Sequence, residues 1–88
     1  MKAQIYAIFK HPDWGMDGDI QSVKEAELVL DLPYQVAEID MGQSFTYIRL
    51  VGSQRWFNSV HFDFEEKGEP INIYNDPRFN PYMRSGQL

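Results

Sequence analysis

The chain has no cysteine and only two histidines in 88 residues. Without thiols it has neither a disulfide framework nor a thiolate metal site, which suits a reducing compartment. No apolar run approaches the roughly 20 residues of a membrane-spanning helix. The start, MKAQIYAIFK, is too mixed for a signal peptide. The expectation is a soluble, cytoplasmic protein without a membrane segment. A G-x-S-x-G elbow, a P-loop and a dinucleotide-binding glycine pattern are also missing. Ser44, Ser53 and Ser59 sit in or beside turns, where hydroxyls serve backbone groups. Glu65 and Glu66 are adjacent, so on a strand they point to opposite faces. No catalytic set assembles from these residues. A protein that is not an enzyme and uses no cofactor is therefore expected.

Cations are scarce as well: 8 Lys/Arg stand against 13 Asp/Glu, a net charge of −5. Nucleic-acid affinity comes largely from cations that neutralise phosphates, so nucleic acid is a poor partner for this chain. An acidic body suits a basic protein surface instead. The carboxylates that form this body are Asp13, Asp17, Asp19, Glu25, Glu27, Asp31, Glu38 and Asp40.

What is present is apolar and aromatic: 43% hydrophobic residues and 15% aromatic, enough for a packed core. The length sets one domain, residues 1–88. Residues 2–10 alternate in strand fashion, with Ile5, Ala7 and Phe9 on one face. HPDWGMDGD, residues 11–19, reads as a loop. Residues 20–32 fit two readings. Ser22 and Glu25 have capping-box spacing, while Ala26, Leu28, Leu30 and Leu32 alternate as a strand would. A short helix over 20–28 followed by extended chain is the expectation, with Pro33 ending the element.

YQVAEIDM (34–41) and SFTYIRLV (44–51) read as two strands joined at Gly42-Gln43 by a type II′ turn. FNSVHFDFE (57–65) alternates, with Val60, Phe62 and Phe64 on one face and His61, Asp63 and Glu65 on the other. Glu66-Lys67-Gly68 is a turn, and PINIY (70–74) is a last short strand. Such a meander must curl to bury one face. The predicted fold is mainly β: a small curled antiparallel sheet or SH3-like barrel with one short helix near 20–28. The alternative is an α+β sheet with one helix packed on it. Residues 75–88 are expected to be an irregular tail packed on the domain, with Tyr74 and Phe79 substantially buried and residues 84–88 frayed.

The segment YQVAEIDMGQSFTYIRLVGSQRWFNSVHFDF, followed by IYNDPRFNPY, resembles small uncharacterised proteins of phages and mobile elements of Gram-positive bacteria. The resemblance spans roughly half of the chain, and its motifs are structural. It implies a phage-like accessory protein and carries no functional residues over.

Three chemistries remain to be weighed. Asp13, Asp17 and Asp19 match a calcium loop in composition only. Gly15 stands where a side-chain ligand is needed, and Lys24 stands where a bidentate Glu belongs. A zinc site built on His11 and His61 needs further convergent ligands, and no metal site is expected. Arg49, Tyr47, Arg55, Trp56, Phe57, Arg78, Phe79, Tyr82 and Arg84 interleave cations with rings, as single-strand-binding domains do. Trp and Arg are also enriched at protein-interface hot spots. The expected function is a protein–protein interaction module, a phage or mobile-element accessory protein that binds or inhibits a host protein. Its partner-binding residues would be Trp14, Arg55, Trp56, Arg78 and Tyr82. The alternative is a small single-stranded nucleic-acid-binding β domain. A monomer or weak homodimer, paired through an edge at 2–10 or 70–74, is expected.

Overall fold

In a computed structural model, residues 4–85 are described, the side chains of Arg84 and Ser85 excepted. The expected strand over 2–10 begins, and the expected fraying over 84–88 ends, outside the described residues. The chain is mainly β. Strands β1 (Ile5–Phe9), β2 (Pro33–Met41), β3 (Thr46–Leu50), β4 (Trp56–Asn58), β5 (Phe62–Glu66) and β6 (Glu69–Ile71) form one antiparallel sheet in the order β4-β3-β2-β1-β5-β6. Helix α1 (Asp17–Glu25) lies between β1 and β2, and a short α2 (Pro81–Ser85) lies near the C-terminus.

The sheet is open, with β4 and β6 as its edges, yet it is strongly curled. In a flat sheet β4 and β5 would lie four steps of about 4.8 Å apart, roughly 19 Å. The link between them is a three-residue 3-10 turn, Ser59–His61. At about 2 Å rise per residue it spans less than half that distance. The bend sits in β2, which pairs with β1 through residues 33–35 and with β3 through 36–41, with an irregularity between Val36 and Glu38. An extra residue at such a point bends the strand and increases its twist. Strand β1 is central, so of the two proposed edges only β6 is one. Pro70 in β6 lacks the N–H that edge pairing would use.

The core fills the concave side. Ile5, Ala7 and Phe9 of β1 meet Ile48 and Leu50 of β3, Phe57 of β4, and Phe62 and Phe64 of β5. Helix α1 contributes Val23, and the chain after β6 contributes Ile73. The rings of Phe9 and Phe62 are 5.7 Å apart and tilted, a favourable aromatic geometry.

Several local readings change. The helix begins three residues earlier than expected and is not capped by Ser22. The Asp19 carboxylate reaches back and accepts the Met16 N–H at 3.0 Å, and Asp17 and Asp19 in the first turn suit the helix dipole. The helix stops because Glu27 turns left-handed, at φ 56°. The Leu28 N–H then reaches the Val23 carbonyl and the Glu27 N–H the Lys24 carbonyl, the paired bonds of a Schellman motif. The alternating leucines after it are not a strand: Leu30 and Leu32 are exposed. Pro33 opens β2 instead of ending the preceding element. The β2–β3 turn is a four-residue loop, 42–45, flanked by the Met41–Thr46 pair. Gly42 is not at positive φ. Glycine eases a close approach there, since a Cβ would meet the Phe45 carbonyl oxygen at 3.1 Å. The two-residue hairpin turn is Lys67-Gly68, with φ of 54° and 78°, as a type I′ turn demands.

The expected 57–65 strand is broken. The Asn58 side chain accepts the Val60 N–H at 3.2 Å and starts the 3-10 turn, which shifts the phase of alternation. His61 is therefore fully buried, not on the solvent face with Asp63. Its Nδ1–H donates to the His11 carbonyl at 2.8 Å, because a carbonyl can only accept.

Candidate functional site

A groove of about 730 Å³ lies where four pieces of chain meet. Its volume falls in the range of binding clefts, about 300–1,000 Å³. The first piece is the start of α1, with Gly15, Met16 and Asp19. Gly15 is left-handed, and a Cβ there would come within 3.1 Å of Asp19. The second is the 42–45 loop with its flanking residues Met41 and Thr46. The third is Asn58 to Val60. The fourth is the C-terminal segment, with Tyr74, Asn80 and Tyr82.

Polar side chains hold these pieces together beneath the groove. Asp19 accepts the Asn58 amide at 3.0 Å as well as the Met16 N–H, which ties α1 to β4. Ser59 and Tyr74 share a 2.6 Å hydroxyl hydrogen bond. The Asn80 amide donates to the Tyr74 carbonyl at 2.7 Å, and its carbonyl caps α2 by accepting the Tyr82 N–H at 2.9 Å. Pro81 at the first helical position suits that cap. The walls are apolar. Met16 (68% exposed), Phe45 (51%), Tyr74 (41%) and Tyr82 (48%) all border the groove. Tyr74 thus departs from the expected burial. Its hydroxyl reaches inward to Ser59 while much of its ring stays at the surface. Phe79 is partly buried against the core, as expected.

Arg78 fixes the segment that supplies three of the lining residues. Its guanidinium makes a two-pronged contact with Glu66 at 2.8 and 2.9 Å and also binds Asp76 at 2.7 Å. The hydrogen bonds to Glu66 and then Asp76 raise its pKa further above the ordinary arginine value. The same contacts hold Glu66 and Asp76 below the usual carboxylate range.

The five expected partner-binding residues do not converge. Tyr82 lines the groove. Trp14 is exposed beside it in sequence and stacks on His11 at 3.7 Å. Arg55 is held on α1 by Glu25 at 3.0 Å and by the Ser22 carbonyl at 3.3 Å. Trp56 lies on the edge strand β4, opposite Arg49. Arg78 is the clamp just described. The interleaved cations of the single-strand reading are likewise engaged: Arg49 with Glu38, Arg55 with Glu25, and Arg78 with Glu66 and Asp76. Phe57 is core. Sequence reading missed Met16, Phe45 and the polar floor. Their only signal was turn chemistry around glycine, which marks a loop without saying what it faces.

His11 and His61 do come together, but through the main chain, and His11 Nε2 sits 3.2 Å from Asp63. Among the described residues no group of three or more His, Asp or Glu is placed to hold a metal ion. Nor is any helix among them long and apolar enough to cross a membrane.

The family model of Bacteriophage T4 protein Y07B matches residues 4–85. The chain belongs to that family, in keeping with its resemblance to phage proteins. No curated protein and no solved structure matches it.

Proposed function

We propose that this phage-family protein is a non-enzymatic accessory protein, an SH3-like interaction module that binds a host protein through the groove. The observation that supports this reading is the ring of exposed apolar side chains around one concavity: Met16, Phe45, Tyr74 and Tyr82. Isolated surface apolar residues need no explanation, but several around one groove mark an interaction site. The floor beneath them is tied together by hydrogen bonds, Asn58 to Asp19 and Ser59 to Tyr74. A preformed floor lowers the ordering cost of binding.

The test is affinity capture from a lysate of the phage's host with the wild-type chain and with Phe45→Ala. Phe45 is exposed, so its loss should leave the melting temperature unchanged. Capture of a host protein in fixed ratio by the wild type, lost with Phe45→Ala, is the expected result. An identical set of captured proteins from both chains rejects the groove as the site.

A further inference from the structure

We propose that the groove takes a polypeptide segment in which a lysine or arginine stands beside apolar residues, with the cation lying at the α1 end. This rests on the reading of the groove as the partner site and adds the chemistry of the occupant. Asp19 is the one charged residue among the described residues that line the groove. Asp13 and Asp17 are exposed in the same short stretch. Against these three carboxylates the start of α1 offers only about half a positive charge.

Among the described residues no lysine or arginine lines the groove, and two cations that flank α1 are engaged elsewhere. Lys10 binds Asp31 at 2.7 Å, and Arg55 binds Glu25 toward the far end of α1. Asp19 already accepts the Met16 N–H and the Asn58 amide, so an incoming cation meets chiefly the exposed Asp13 and Asp17, with no lysine or arginine competing among the described lining residues. Phosphate backbones, anionic membrane surfaces and a second copy of this acidic chain all bring charge of the wrong sign. The apolar walls at Phe45, Tyr82 and Met16 accept aliphatic or aromatic side chains, and an arginine can also lie over a tyrosine ring. The amide of Gln43, on the groove, can bond the main chain of such a segment.

The experiment is an amide-resonance titration with two short synthetic peptides. One alternates leucine with arginine, and the other alternates leucine with glutamine. The expected result is that both shift Gln43, Phe45 and Tyr82, with the arginine peptide about fivefold tighter, the gain of two exposed charge pairs. Asp13→Asn/Asp17→Asn should erase that difference while leaving the glutamine peptide unchanged. Equal affinity of the two peptides in the groove overturns the inference and leaves the groove reading standing. Shifts from the arginine peptide centred on Asp63 and Glu65 of β5 also overturn it, since attraction would then follow net charge alone. Peptide binding that is indifferent to Phe45→Ala sinks the groove reading itself.

Discussion

Glu27 shows how a single residue can carry strain for a fold. It holds φ of 56° at the position that closes α1, where glycine is the usual occupant. A non-glycine residue there costs roughly 1–2 kcal/mol, and glycine returns part of that through unfolded-chain entropy. Glu27→Gly should therefore raise stability by about 0.5–1 kcal/mol in urea unfolding. An unchanged or lower midpoint would contradict the Schellman assignment. Ile73 is the opposite kind of residue. It is fully buried although it lies outside the sheet, so Ile73→Ala should cost about 3 kcal/mol by leaving a cavity. At this scale the sequence showed the types well. It marked arginines and aromatics as notable but not their partners, such as Glu25 for Arg55 and Glu66 for Arg78. Pairings across 12 or more residues are invisible to local spacing.

The C-terminal segment is the element whose role changed most. Its two proline turns were legible, but its attachment to β5 through Arg78 was not. Because Glu66 and Asp76 are held below their ordinary pKa values by Arg78, the attachment is strongest when both are ionised. Depressed carboxylate pKa values give stability that is present above the ordinary values, 4.5 and 3.8, and lost as pH falls through the folded ones. Arg78→Gln should thus melt below the wild type at pH 7, and the gap should narrow as the pH falls below 4.5 and 3.8. A gap independent of pH would mean that Arg78 acts by packing on Phe79, over whose ring it lies at 5.0 Å. The broken strand between Asn58 and His61 belongs to this scale too. Period-two alternation ran on through FNSVHFDF, and nothing local announced that the Asn58 side chain would interrupt it.

For the whole molecule, the curling of an open sheet is the central fact. The sheet buries one face only because residues 73–79 and α1 cover what the strands leave open. Truncation after Asp76 removes Phe79 from the core, cuts the Arg78 clamp, and takes Asn80 and Tyr82 from the groove. It should lower stability by roughly 2 kcal/mol, from lost apolar burial, and abolish partner capture. A truncated chain with wild-type melting temperature would show that the segment serves binding alone. The sequence by itself determined that the chain is small, acidic and mainly β, that its strands follow one another with a helix after the first, and which face of β1 is apolar. Alternation and turn residues act within a few positions, and those properties depend on nothing more distant. Only the tertiary structure decided the strand order, the bend in β2, the burial of His61 and the meeting of residues 16, 45, 74 and 82 around one groove. Each of these depends on contacts between residues far apart in sequence, made when the sheet curls over its core.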